Sequence, residues 1–269
     1  MKKLERKLSL SAAIAICIAG MLGGIFIIPG IAAVKTGSSV WLAFLIAAIT
    51  ILPAVLSKSE LATAMPKSGG AYLYIERAFG PMMGTISGLG LWISLILKSA
   101  FALIGLGAYL FALINIPSEF IKYISLIVLF LIMLLNIFGV KKVGKAQIIM
   151  ITLGLLGLIS LISFGVPVIK KDLLHPFLNN GSGAFLSTIA FVYISYAGVT
   201  KIAAVAGEVK NPSKNLPLSM ILSLIIITSI YIAIAYTLVG NIPLFTLNED
   251  IRPLYTLAFE LGGQNFAYI

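Results

Sequence analysis

Long apolar runs separated by short polar breaks fill this sequence. The runs cover about residues 8–34, 39–65, 82–114, 121–140, 146–169, 184–206 and 216–239. Each is long enough to cross a hydrocarbon layer of about 30 Å at about 1.5 Å per helical residue. The breaks carry Pro, Gly, Asn and charge: PKSGG at Pro66, INIPSE at Ile114, GVKKVGK at Gly139, KKDLLHPFLNNGSG at Lys170 and EVKNPSKNLP at Glu208. None is long enough to hold a separate soluble domain. The pattern predicts an all-α polytopic membrane protein, one transmembrane domain over residues 1–269 with about seven spanning helices. After Val239 the piece from Arg252 to Leu261 reads as amphipathic and suits the outer interface. A further apolar segment, the start of an eighth helix, begins near Gly262, and the chain stops a turn or two later. A truncated chain is therefore expected.

Composition agrees. Of 269 residues 60% are apolar and 10% charged, with a mean hydropathy of +1.10. A soluble domain runs at about half apolar and about a quarter charged. Disorder, a coiled coil and a soluble enzyme are excluded as main readings. The N-terminal MKKLERK and the apolar run after it have the polarity of a signal peptide. The run is too long for one, and no small-residue cleavage pattern precedes a polar chain, so it is kept as the first spanning helix.

The net charge is +10. In a soluble protein that would suggest nucleic acid; here it follows the sidedness of short loops, and no nucleic-acid partner is expected. With the N-terminus cytoplasmic, the inner side receives Lys2, Lys3, Arg6, Lys7, Lys58, Lys67, Arg77, Lys141, Lys142, Lys145, Lys201, Lys210 and Lys214. The outer side receives only Lys35, Lys122, Lys170, Lys171 and Arg252. That bias sets the orientation. Cys17 is the sole cysteine and His175, in a loop, the sole histidine. No disulfide framework, Cys/His metal site, cofactor or catalytic constellation is expected.

Chemistry is sought where spanning helices are interrupted. In Gly20-Met21-Leu22-Gly23-Gly24-Ile25-Phe26-Ile27-Ile28-Pro29-Gly30, adjacent glycines weaken helical order. Pro29 removes a donor and clashes with the carbonyl four residues back. Isolated glycines in membrane helices serve packing; the pair followed by Pro29 predicts a break. Freed N–H groups are tolerated at that depth only where they line a cavity or meet a ligand. The positive end of the following half-helix suits a carboxylate. In the sixth segment Gly198 follows Ser195, Tyr196 and Ala197, which suits plain helix packing or, paired with the first break, a second interruption. Paired interruptions in corresponding halves mark secondary transporters. One supplies N–H donors and the other carbonyls, which together suit a zwitterion.

These stretches resemble a known family. GGIFIIPG (residues 23–30) resembles the G-S/A-G-I-F-x-x-P-G stretch of amino acid permeases. PKSGGAYLYIERAFG (66–80) resembles their P-x-x-G-G-x-Y-x-Y loop, and FVYISYAGVTKIAAVAGEVKNPSKNLP (191–217) their sixth helix and its continuation. Order and spacing agree over nearly the whole chain with the amino acid–polyamine–organocation superfamily. The resemblance implies the leucine-transporter-type inverted-repeat fold with helices 1 and 6 broken. This chain would hold one five-helix repeat and the start of the second. It also implies a carboxylate cradle at Leu22, Gly23, Gly24 and Ile25, with Leu22 where the first glycine usually stands. The carbonyls for an ammonium group fall on Tyr193, Ile194, Ser195 and Ala197, ahead of Gly198. Val199 occupies an often aromatic gate position, implying a thinner outer gate.

Lys98 lies about 16 residues from either end of its segment, too deep for easy snorkelling. An intramembrane cation is costly and reads as functional. The resemblance offers a precedent, a fifth-helix lysine in proton-coupled members, but the matching position here is Gly154, seven after Gln147. Lys98 is therefore the expected coupling residue. Glu208, Lys210, Pro212 and Glu60 read as structural, with Pro212 stopping the sixth helix, and Tyr72 and Tyr74 as interfacial anchors. The expected function is secondary active amino acid transport across the cytoplasmic membrane by alternating access. The partners are an amino acid, the bilayer and, through Lys98, protons. The alternatives are an ion-independent amino acid or polyamine exchanger and a non-transporting sensor or subunit.

Overall fold

Glycine, proline and polar breaks set the ends of the helices. The computed structural model describes residues 6–114, 120–137, 140–248 and 250–267. The INIPSE residues after Ile114 and Gly139, the first residue of the GVKKVGK break, lie outside them. The helices are α1 (Leu10–Leu22), α2 (Ile28–Thr36), α3 (Val40–Ala64), α4 (Ala71–Phe79), α5 (Pro81–Ile114), α6 (Ile121–Ile137), α7 (Val140–Gly165), α8 (Gly181–Tyr193), α9 (Pro212–Asn241) and α10 (Pro253–Ala267). A 3-10 turn, Gly23–Phe26, separates α1 from α2, and a 3-10 stretch, Ile194–Glu208, follows α8. No strand occurs among the described residues; one isolated parallel bridge joins Leu8 to Val209.

Five helical runs are long and apolar enough to cross a membrane: Ile28–Ala64, Pro81–Leu110, Ile148–Val168, Gly181–Glu208 and Pro212–Asn241. Leu10–Phe26 and Lys122–Leu134 are shorter apolar helices. The first run of the sequence is thus cut in two, and its second half, α2, continues through a short 3-10 turn, Gly37–Ser39, into α3. Polar groups of that junction are met by the 174–179 segment, as buried backbone requires. Ser39 N–H donates to the Phe177 carbonyl (3.0 Å) and Asn179 N–H to the Thr36 carbonyl (3.1 Å). Ser38 Oγ donates to the Leu174 carbonyl (2.5 Å). Gly37 has φ +79°, and a Cβ there would meet Asn179 and Pro176 at 3.1 Å, so both backbone angle and space call for glycine.

The chain divides into two compact units. The first comprises 1–22, 48–99 and 195–228. In it α1 runs antiparallel to the stretch after α8: Leu8 pairs with Val209 at one end, and Gly20 meets Gly198 at the other. Between these points Ala13, Cys17, Ile202, Ala203 and Ala206 are buried. The PKSGG loop closes on the same stretch, with Gly69 N–H donating to the Ala204 carbonyl (3.1 Å) and Gly70 (φ +60°) against Ala204.

Two local readings change here. Pro212 does not stop the sixth segment; it opens α9, where its fixed φ and missing N–H suit a first helical position. Tyr74 is not an exposed anchor. It is buried on the inward face of the amphipathic α4, while Tyr72, two residues earlier, remains at the surface.

The second unit comprises 23–47, 100–194 and 229–269. In it α2 packs on α8, and Phe44 stacks on Tyr231 with centroids 4.9 Å apart. Asn241, buried, donates from Nδ2 to the carbonyls of Gly165 (3.0 Å) and Thr237 (2.8 Å), closing the end of α7. Helix α10 is interrupted at Gly262–Gly263, where Gly263 takes φ +69°. Large apolar side chains such as Phe101, Ile104, Phe130 and Met150 stay exposed in this unit, as suits contact with hydrocarbon.

Candidate functional site

The first interruption follows from its residues. Gly23 and Gly24 gain least from remaining α-helical, so α1 ends at Leu22 and the chain tightens into a 3-10 turn. Ile27 leaves helical geometry at φ −125°, ψ −44°, and α2 restarts with Pro29 in its first turn, where the missing N–H costs nothing. The start of α2, with its positive dipole end, thus comes at Ile28, with Ile25, Phe26 and Ile27 between it and the glycines. Gly23 is exposed, and a Cβ there would meet nothing within 4 Å. Leu22 and Ile25 are buried and Gly24 is half-buried.

The second interruption takes another form. Helix α8 ends at Tyr193, and the next fifteen residues, Ile194–Glu208, are wound as 3-10 helix with non-helical angles at Val205. Such runs rarely exceed three or four residues, and long ones mark a hinge or a constrained segment. The constraint is visible at Gly198. A Cβ there would collide with the carbonyl carbon and oxygen of Gly20, and a Cβ on Gly20 would lie 2.7 Å from the Gly198 oxygen. The two backbones touch, as small-residue crossings in membranes allow. Tyr193, Ile194 and Ala197 are exposed, whereas Ser195 and Gly198 are buried. Ser195 is 2% exposed and its Oγ has no hydrogen-bond partner. A buried hydroxyl without a partner is an exception that needs a reason.

Lys98, midway along α5, donates from Nζ to the Gly20 carbonyl at 2.7 Å. That carbonyl lies in the last turn of α1, the negative end of the half-helix, where a cation is favoured. The stem of Lys201 packs on the same glycine, its Cδ 2.9 Å from a Cβ placed on Gly20. In the first unit, therefore, Gly198 and Lys98 meet on Gly20, two residues before Leu22. Leu22, Ser195 and Ala197 belong to that unit too, and Gly23, Gly24, Ile25, Tyr193 and Ile194 to the second.

Two contacts were not anticipated from sequence. Lys58, assigned to a loop-side charge, donates to Thr200 Oγ1 at 3.2 Å. Tyr109 on α5 donates from Oη to the Phe26 carbonyl at 2.6 Å. A polar aromatic within an apolar run was the only sequence signal for the second. For the first, the signal was a lysine one to two turns inside the end of its run.

Known proteins place these features in a family. The pattern of the amino acid permease family matches residues 12–263. The branched-chain amino acid permease BcaP of Bacillus subtilis is 28% identical over 98% of this chain and 61% of its own length. BcaP of Lactococcus lactis is 31% identical over 86% of this chain and 55% of its own. The serine/threonine exchanger SteT of Bacillus subtilis is 31% identical over 97% of this chain and 62% of its own. The chain spans about half to three-fifths of the length of these relatives, whose names are those of transporters and not of enzymes. The apolar helices and the family match make it a multi-pass membrane protein. With both interrupted helices in the expected places, the chain belongs to the amino acid permease family, on an all-α fold of the amino acid–polyamine–organocation type.

Proposed function

We propose that this chain carries the substrate-binding core of a secondary amino acid transporter that works by alternating access in the cell membrane, with its N-terminus cytoplasmic. All seven apolar segments are crossings in this reading, and α1 and α2 together make the first. The backbone N–H groups of Leu22, Gly23, Gly24 and Ile25 hold the substrate carboxylate, and the carbonyls of Tyr193, Ile194, Ser195 and Ala197 hold its ammonium group beside Gly198. One observation carries the reading: the Ser195 hydroxyl is buried and unpartnered where α8 gives way to the 3-10 stretch. A ligand with a hydrogen-bonding headgroup supplies that missing partner. Lys98 holds the end of the α1 half-helix through the Gly20 carbonyl, and it supplies a proton-sensitive charge that couples uptake to protons. No acidic side chain lies in 22–25 or 193–198, which favours a neutral side chain. The names of the two BcaP relatives make leucine, isoleucine and valine the first substrates to test.

The experiment is reconstitution of the 269-residue chain in proteoliposomes, with leucine binding and flux measured with and without a pH gradient. Saturable binding with flux driven by the gradient supports the reading. Counter-flow at symmetric pH without net uptake favours exchange. Binding without flux favours a sensor or subunit, and no binding of any amino acid overturns the assignment.

A further inference from the structure

We infer that Tyr109 is a positioning residue for the break in the first helix. The break creates a specific backbone problem. Phe26 ends the 3-10 turn and precedes Ile27, the residue at which α2 begins to wind. The residue that would close the next 3-10 bond to the Phe26 carbonyl is Pro29, which has no N–H. A carbonyl left free at this depth is expensive. Tyr109 Oη takes it up at 2.6 Å.

The fit extends beyond one bond. The Tyr109 ring meets the Phe26 ring edge-on, with centroids 5.7 Å apart and planes at 84°. Gly105, one turn earlier on α5, lies against Ile27, whose Cδ1 would be 2.8 Å from a Cβ at that glycine. The face of α5 made by Gly105 and Tyr109 is thus matched to Phe26, which ends the 3-10 turn, and Ile27, which caps α2. The same hydroxyl also accepts a hydrogen bond from Leu254 N–H at 3.4 Å, at the start of α10. Beside it Pro253 packs on Gly30 so closely that a Cβ there would be 2.8 Å away. One hydroxyl, donor to Phe26 and acceptor from Leu254, orients the peptide beside the proposed carboxylate cradle and ties it to the entry of α10.

The consequence for binding rests on the transport reading above, so the test has two arms on the 269-residue chain. Hydrogen exchange is compared between wild type and Tyr109→Phe. Loss of an ordinary hydrogen bond, about 1 kcal/mol, corresponds to about fivefold faster exchange at Leu254 and at residues 24–27. Equal rates at these amides overturn the proposal, whether or not the chain transports. The second arm measures leucine uptake for Tyr109→Phe and Tyr109→Ala. A positioning hydroxyl predicts that Tyr109→Phe, which keeps the ring, already raises KM about fivefold with little change in the maximal rate. A Tyr109→Phe with wild-type KM, and a defect confined to Tyr109→Ala, would mean that the ring serves packing alone and would overturn it. Absence of leucine binding in the wild type refutes the transport reading and leaves the exchange arm to decide for Tyr109.

Discussion

Gly198 rests directly on the backbone of Gly20, with no room for a side chain on either residue. On Gly198 the obstructing atoms are all Gly20 backbone, which cannot swing aside, and on Gly20 the nearest is the Gly198 oxygen, with Lys201 Cδ beside it. Gly198→Ala therefore lowers the melting temperature in detergent, by an amount corresponding to about 1–3 kcal/mol of overpacking. Gly23→Ala is the control. Its Cβ meets nothing within 4 Å, so it leaves the melting temperature near wild type while weakening leucine binding at the proposed cradle. Equal melting temperatures for Gly198→Ala and wild type would refute the packing argument.

Lys98→Gln removes the charge that donates to the Gly20 carbonyl. Hydrogen bonds to charged groups contribute about 1.5–3 kcal/mol, so this variant melts earlier than wild type. Its leucine uptake loses its dependence on pH. An unchanged pH profile would refute the coupling role while leaving the structural one in place.

Ser195→Ala separates stability from function. The Ser195 hydroxyl is buried without a partner, so its removal discards a desolvated polar group. Thermal stability stays equal or rises slightly, while leucine affinity measured by equilibrium binding falls. A loss of stability with unchanged affinity would point to an unseen partner within the protein and would remove the main support for the site.

Tyr72 and Glu76, outside the spanning segments on α4, give a pH prediction. A hydrogen bond to the Glu76 carboxylate and its negative charge raise the Tyr72 pKa above the usual value. The native state thus holds this proton more tightly than the unfolded chain. The associated stabilisation is complete below about pH 10, the unfolded value, and is lost as pH rises through the higher native value. In a phenolate absorbance titration, read as the difference from Tyr72→Phe, Tyr72 ionises later than a free tyrosine, and Glu76→Gln brings it back down.

Much of the architecture is written in local sequence. A run of about twenty apolar residues needs a membrane or a core wherever it lies, so the α5 and α9 segments are legible without knowing their neighbours. The first break is equally local. Gly23, Gly24 and Pro29 disfavour a continuous helix through properties of their own backbone. The motifs at 23–30, 66–80 and 191–217 carried the family for the same reason, being contiguous.

The second interruption was only half legible. Gly198 marked a weak point, but nothing in an apolar run shows 3-10 winding on both sides of a kink at Val205, which accompanies a close approach to Gly20 from the other end of the chain. Tyr74 was misplaced because its burial depends on which face of a nine-residue helix turns inward.

By itself, then, the sequence determined the class of protein, the main apolar segments, the position of the first break and the family. Tertiary structure alone decided what the break's polar groups bind. Lys98 and the Gly20 carbonyl are 78 residues apart, and Tyr109 and the Phe26 carbonyl 83. Hydropathy and backbone propensity add up residue by residue along the chain and can be read locally. A hydrogen bond depends on distance and direction between two particular atoms, which exist only once distant segments have packed.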